Sequence, residues 1–426
     1  MKLSYIYTIT VAIIISAASI FVAIQYQPTS DIIEENIPDE GEMPSPKGDL
    51  SFNDAVNSFA LDFLRELNKE SGENIFISPY SIFTALAMTY EGARNSTAEE
   101  MADVLSIEQD NESFHNYMKG LHEYLNENSE YNISTANALW IRENFELLQE
   151  YINVIQTYYG GESSEVDYSN PTQAAEIINS WVENKTNNLI KDLIKPSAIN
   201  PSLTMLILTN AIYFKGTWQI QFDEVNTTDR EFEISDGSTV SIPTMSLIGK
   251  EERFNYTETD ELQILELPYK GDEMSMVILL PKDKVEIDNI VNSIDEENYS
   301  EWIDIMSGRK VNIYLPKFKF ETSYELNDYL ISLGMENAFG AQADFSGIDG
   351  RRDLFIDSVV HKAFIEVNEE GTEAAAATAV IMNLKAGPDD SDSRITFDCN
   401  RPFIFLIQHR DTKTILFSGI VNNPLE

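Results

Sequence analysis

Four histidines and one cysteine are the side chains of this 426-residue chain best suited to act as bases, nucleophiles or metal ligands. His115 and His122 lie seven residues apart, which can place both on one helix face, but two ligands without a third make a weak metal site. Cys399 ends the strand-like run Ile395–Cys399, which is typical of a buried structural thiol. The sequence has no nucleophile–base motif and no nucleotide-binding glycine loop. We therefore predict that the protein is not an enzyme and uses no cofactor or metal.

Two polar side chains interrupt strand faces that are otherwise apolar. The segment Ser358–Asn368 alternates, and His361 is the lone polar residue on its apolar face. In Met205–Phe214, Asn210 is the polar residue on a face of large apolar side chains. A buried imidazole must find hydrogen-bond partners, which favours a polar network beneath a sheet over a catalytic or metal-binding histidine. Such a network suits a place where a sheet must open and close again.

The segment Glu369–Ala379 carries no bulky apolar side chain. A short alanine-rich helix and a disordered linker are both compatible with it. It also suits a strand that has yet to form, because one face would hold only small or β-branched residues that can enter a packed sheet. That face consists of Thr372, Ala374, Ala376, Thr378 and Val380, with Glu373 on the opposite face.

The elements that must position these residues are unevenly distributed along the chain. Apolar residues recur at helical spacing from Phe52 to Leu67, and Ser78-Pro79 is a helix start, with Ser78 as cap. The second half predicts mainly strands. Because helices and strands are segregated rather than alternating, the sequence predicts an α+β fold. The predicted strands are Met205–Phe214, Leu262–Leu267, Met274–Leu280, Val311–Phe320, Val359–Val367, Phe403–Gln408 and Thr414–Val421.

The N-terminal segment differs from the globular part. Residues 6–24 are an uncharged apolar run, long enough to span a bilayer as a helix. We predict a signal peptide or an uncleaved signal-anchor helix at 1–24, an acidic Pro-containing linker at 25–48, and one globular domain at 49–426. Either interpretation exports the domain, which is expected to be secreted or anchored to the outer face of the cell membrane.

The formal net charge is −42, from 71 acidic and 29 basic residues. Such a surface repels nucleic acid and anionic lipid, so we expect no nucleic-acid partner and contact with a membrane only through the N-terminal segment. The acids are interpreted as a solvated surface that keeps the domain soluble, and we expect a monomer.

Short motifs over residues 50–426, in order and at family-like spacing, resemble those of the serpin family. Glu369–Ala377 resembles the reactive-loop hinge of inhibitory serpins. Asn74–Ile82 resembles the family's helix-B signature, and Asn210–Trp218 resembles a strand of its central sheet with the turn after it. The remaining motifs are Ala343–Ile348, Val359–Ala363, Arg401–Phe405 and Gly419–Pro424.

The resemblance implies a fold of three β-sheets and about nine helices with an exposed reactive-centre loop. It also implies site residues in three groups. The loop hinge would comprise Glu369, Gly371, Thr372, Ala374 and Ala376. A polar "shutter" beneath the large sheet would comprise Ser78, Ser81, Asn210 and His361, and a "breach" where insertion begins would comprise Trp218, Lys317 and Glu369.

The function that the resemblance implies is suicide-substrate inhibition of a serine protease, through a covalent acyl complex and loop insertion. Counting from the hinge glycine places the reactive bond at Lys385-Ala386, and a lysine there suggests a trypsin-like protease. The stretch after it, residues 387–393, is longer than is typical of the family, so Leu384, Met382 and Arg394 are fallback positions. The alternative is a non-inhibitory serpin acting as a chaperone, carrier or surface protein.

Overall fold

The computed structural model describes residues 51–69, 72–107, 111–126, 131–372 and 394–426. All of them belong to one compact unit, Ser45–Glu426. The predicted segment at 1–24 and the linker at 25–48 lie outside the described residues, and these boundaries stay predictions. Within the described ranges, no helix is both long and apolar enough to cross a membrane.

The described residues form ten α-helices and three short 3₁₀ helices, which fits the predicted count of about nine. The α-helices are α1 Ser51–Asn68, α2 Pro79–Tyr90, α3 Asn95–Leu105, α4 Asn111–Asn126, α5 Gln149–Tyr159, α6 Pro171–Lys185, α7 Ile287–Ser293, α8 Glu296–Asp304, α9 Asn327–Leu333 and α10 Ser346–Asp349. The 3₁₀ helices are Pro196–Ala198, Glu224–Asn226 and Asn337–Phe339.

The strands of the described residues assemble into three sheets, which confirms the prediction of an α+β fold with three sheets. The strands are β1 Ile75–Ile77, β2 Tyr131–Arg142, β3 Glu162–Val166, β4 Leu206–Thr217, β5 Thr228–Glu233, β6 Thr239–Leu247, β7 Phe254–Glu258, β8 Leu262–Pro268, β9 Met274–Pro281, β10 Ser307–Arg309, β11 Val311–Pro316, β12 Phe318–Glu325, β13 Ile356–Val367, β14 Gly371–Thr372, β15 Ile395–Asp398, β16 Phe403–His409 and β17 Ile415–Val421.

Each sheet has a distinct strand order. The core sheet runs β1-β17-β16-β9-β8-β7-β10, and its strands β9, β16 and β17 are buried along their whole length. The small sheet runs β15-β11-β6-β5. The hinge sheet runs β12-β13-β14-β4-β2-β3 and contains the predicted site residues Asn210, His361, Gly371 and Thr372.

Two cores sandwich the hinge sheet. The larger core lies between it and the core sheet and includes the almost fully buried helix α2. The smaller core lies on the opposite face, where α6 packs on β2 and β4 through residues such as Trp140 and Ile178. Helix α2 begins as the sequence predicts, because the Ser78 side chain accepts the Ser81 backbone N–H at 3.2 Å and Pro79 occupies the first turn.

Candidate functional site

The hinge sheet is closed along most of its length and divided at one end. Strands β13 and β4 pair directly and in parallel from Ile356 opposite Leu206 to Ala363 opposite Ile212. Beyond that point the two-residue strand β14 lies between them and pairs antiparallel with both. Residues 371 and 372 therefore already occupy the position of a new central strand.

A tight turn leads from β13 into β14. The backbone N–H of Asn368 donates to Gly371 O at 3.0 Å, and the Asn368 Oδ1 accepts the N–H groups of Glu370 at 3.0 Å and Gly371 at 3.3 Å. A Cβ on Gly371 would lie 2.0 Å from Gly216 O, so only glycine permits this approach of the hinge to β4. Gly371 was singled out from the sequence, whereas Asn368 and Gly216 were not.

The three predicted breach residues lie together around this turn. Lys317 Nζ is 2.7 Å from Glu369 Oε2, and the Thr227 hydroxyl donates to Glu369 Oε1 at 2.7 Å. Burial alone would raise the pKa of the Glu369 carboxyl, but the hydrogen bonds from Lys317 and Thr227 outweigh it and hold that pKa below its ordinary value. Trp218 donates its indole N–H to Asn368 O at 3.0 Å.

Thr372 points into the larger core and is only 2% exposed. Its hydroxyl oxygen lies 2.6 Å from that of Tyr269, a residue that no sequence motif singled out. The Tyr269 ring stacks on Trp218 with centroids 4.6 Å apart and planes inclined by 10°. Thr372, the second residue of β14, is thus held by a side chain from the turn between β8 and β9.

The predicted shutter residues form one buried network with a fifth member, Asn137. His361 Nε2 accepts the Ser78 backbone N–H at 3.1 Å, so the network places the imidazole proton on Nδ1, which donates to Asn210 Oδ1. The Asn210 amide donates to Ser81 Oγ at 2.6 Å and to Asn137 Oδ1 at 2.7 Å.

His361 is a structural histidine held in its neutral form. Complete burial lowers its pKa from 6.5 to about 3, and its hydrogen bond with Asn210 opposes that shift. His361 and Asn210 are direct neighbours across the parallel β13–β4 pairing. Their hydrogen bond therefore joins the two strands that a new central strand would have to part.

The other residues that could act as a nucleophile or as metal ligands lie in surroundings typical of a structural role. Cys399 is buried, and burial raises the pKa of its thiol well above the ordinary value. His115 and His122 both lie on α4, where His115 Nε2 is 2.8 Å from Glu91 Oε1. No group of three or more His, Cys, Asp or Glu within the described ranges is arranged to hold a metal ion.

Several predicted loop residues lie outside the described residues and stay predictions: Ala374, Ala376, Met382, Leu384, Lys385 and Ala386. The fallback position Arg394 is described. Its guanidinium lies 2.6 Å from the Glu251 carboxylate and also donates to Lys250 O, immediately before β15. A side chain bound in this way is poorly placed to enter a protease pocket.

Comparisons with known proteins agree with this architecture. A family model described as "Serpin (serine protease inhibitor)" matches residues 54–424. An uncharacterised serpin-like protein of Thermococcus kodakarensis is 43% identical over 373 residues, covering 87% of this chain and 85% of its own length.

Solved structures show the same likeness. Serpin48 of the insect Tenebrio molitor, described as a highly specific serpin, is 35% identical with a TM-score of 0.79, and the match covers 90% of this chain and all of that one. Human thyroxine-binding globulin in complex with its hormone is 29% identical with a TM-score of 0.80, covering 88% and 100% of the two chains.

Proposed function

This chain belongs to the serpin family, and we propose that it inhibits a trypsin-like serine protease outside the cytoplasm by offering residues 371–386 as bait. The observation that carries the proposal is β14. Its two residues lie between β13 and β4 and are followed in the sequence by the segment that contains the predicted reactive bond. A loop attached there can continue into the sheet once it is cut.

The chemical step belongs to the protease. Its nucleophilic serine oxygen bonds to the carbonyl carbon of Lys385, the Lys385-Ala386 amide bond breaks, and the new amino group of Ala386 takes the proton. Lys385 stays joined to the serine as an ester, which water hydrolyses in an ordinary substrate. Insertion of the residues that precede Lys385 carries the protease away and distorts its site before that hydrolysis.

Backbone pairing supplies part of the driving force for insertion. Because β14 is antiparallel to both neighbours, an extension of it would hydrogen-bond to β13 on one side and β4 on the other. At a net ~0.5–1.5 kcal/mol for each hydrogen bond, about ten new residues contribute on the order of 10 kcal/mol. The parallel β13–β4 pairing is lost in exchange, together with the hydrogen bond between His361 and Asn210.

The test is a denaturing gel of the protein mixed with trypsin. We expect a band near the sum of the two masses that survives denaturant and is absent in Lys385→Ala. Arg394→Ala is the matched control, because Arg394 is a second basic residue of this region but is paired with Glu251, and it should leave the band unchanged. Cleavage of the wild-type loop by every serine protease tried, without that band, would refute inhibition.

A carrier function is the second candidate, because thyroxine-binding globulin, whose structure contains its hormone, shares the fold. A carrier binds its ligand without forming an ester to a protease. The covalent band therefore separates the two candidates.

Export of the domain is part of the proposal. The apolar run at 6–24 and the acidic linker after it support a secreted or surface-anchored protein. Protease accessibility of the domain on intact cells, or its recovery from the culture medium, tests this, and recovery only from the cytosol would refute it.

A further inference from the structure

The Tyr269 hydroxyl is held at one fixed point beneath the hinge. Its ring lies between Trp218, on which it stacks, and Phe214, whose centroid is 5.0 Å away in an edge-on arrangement. The Tyr269 backbone N–H donates to Met274 O at 2.9 Å, and residues 218 and 269 form a β-bridge. These contacts hold both the ring and the backbone of Tyr269 and so favour one position for its hydroxyl.

The Tyr269 hydroxyl has a hydrogen-bond partner when the hinge is inserted and loses that partner when the hinge leaves the sheet. Tyr269 is fully buried, and a buried hydroxyl that loses its partner is unfavourable. Thr372 supplies the partner, at 2.6 Å, only while β14 lies between β13 and β4. The hydrogen bond therefore favours the inserted arrangement.

The ion pair between Lys317 and Glu369 does not have this role. Glu369 lies inside the turn, so its carboxylate fixes the turn at the end of β13 and not the strand that follows it. Thr372 follows the turn. It is the residue of β14 that has a side chain, because the other residue of this strand is Gly371. The contact of Thr372 with Tyr269 therefore exists only when the hinge is inserted, whereas the ion pair of Glu369 depends only on the turn.

We propose that Tyr269 is a positioning residue whose hydroxyl holds the hinge inserted through Thr372 before any protease has cut the loop. The uncut protein then rests with the first step of insertion complete, and the turn at residues 368–371 already has the hydrogen bonds that connect β13 to a new strand. The consequence for inhibition rests on the proposed function, but the resting position of the hinge does not.

Amide hydrogen exchange in the uncut protein tests the resting position. In Tyr269→Phe, which keeps the ring but removes the hydroxyl, we expect the amides of residues 368–372 to exchange about tenfold faster. Thr372→Val should have the same effect, and Thr372→Ser, which keeps a hydroxyl, should stay near wild type. Because one hydrogen bond is lost in each case, the double variant should be no faster than either single variant.

Tyr168→Phe is the matched control. The Tyr168 hydroxyl is also buried and donates to Trp140 O at 2.8 Å, but on the opposite face of the hinge sheet. It should leave hinge exchange unchanged. Unchanged hinge exchange in Tyr269→Phe, or effects that multiply in the double variant, would overturn the proposal. If Tyr269→Phe does not fold, the Thr372→Val and Thr372→Ser pair decides the matter.

Inhibition provides a separate readout. If insertion starts from a hinge already in place, Tyr269→Phe should raise the stoichiometry of inhibition of trypsin several-fold, because slower insertion leaves time for the ester to hydrolyse. An unchanged stoichiometry, with faster exchange, would overturn the consequence for inhibition. Absence of any covalent complex in wild type would refute the proposed function, and the exchange data would still decide where the hinge rests.

Discussion

Protonation of His361 is expected to weaken the contact between β13 and the start of helix α2. Neutral His361 accepts a hydrogen bond from the Ser78 backbone N–H through Nε2, and a protonated imidazole cannot accept it. Because complete burial disfavours the charged imidazolium, the folded protein binds this proton more weakly than the unfolded chain does. The stability that neutral His361 contributes is fully present above pH 6.5, the ordinary pKa, and is lost as the pH falls towards the folded pKa of about 3.

The size of the loss follows from the shift. At about 1.4 kcal/mol for each pKa unit, a pKa lowered from 6.5 to about 3 corresponds to roughly 5 kcal/mol of unfolding free energy across that interval. His361→Gln, which does not titrate, removes this contribution. Other groups that titrate in acid, such as His409 with a pKa lowered by burial to about 4, act equally in both proteins and cancel in the comparison.

The assay is urea unfolding of the uncut protein, followed by tryptophan fluorescence at several pH values between about 7 and 4. The wild type is expected to lose stability with falling pH faster than His361→Gln, by about 1.4 kcal/mol for each pH unit below 6.5. Parallel pH profiles for the two proteins would refute the reasoning, because they would mean that His361 is not buried in its neutral form.

Three further changes test the hinge and the surface. Thr372→Arg should turn the inhibitor into a substrate, because no large charge is accommodated cheaply at a position that is 2% exposed, and unchanged stoichiometry of inhibition would contradict this. Gly371→Ala should lower the melting temperature of the uncut protein, since its Cβ would lie 2.0 Å from Gly216 O; an unchanged melting temperature would count against the β14 geometry. Glu296→Gln should raise the melting temperature at neutral pH but not near pH 4, because burial and then the neighbouring Asp54 raise the pKa of Glu296, so that its ionised form opposes folding; a lower melting temperature at neutral pH would be the opposite result.

Strand alternation in the sequence predicted a buried polar network that contains His361 and Asn210. In Ser358–Asn368 a period of two places His361 among apolar side chains, and the same argument places Asn210, so the structure's hydrogen bond between them was within reach of local reasoning. The Ser-Pro helix start predicted Ser78 as a cap, whereas only the family resemblance implied that it belongs to the network. Asn137 was not, because its place in the network depends on the pairing of β2 with β4, which joins distant parts of the chain.

At the hinge, too, local sequence predicted some features and tertiary packing determined the others. The small side chains after Glu370 suggested a strand that inserts into the sheet. The sequence Asn368–Gly371, where this segment begins, also carries a turn signal that was not used for prediction. Tyr269 could not be selected, because its contact with Thr372 links positions 103 residues apart through the packing of one sheet on another. Gly216 could not be selected either, because its contact with the hinge depends on the register in which β14 pairs with β4.

The measurement that tests the central claim most directly is the intact mass, under denaturing conditions, of the product formed with trypsin. The account predicts the protease joined to a chain that ends at Lys385, with the peptide 386–426 released by the denaturant. A free protease beside a chain cut at Lys385 would show that the bond is cleaved without being trapped, and would contradict the claim that the hinge sheet captures the protease.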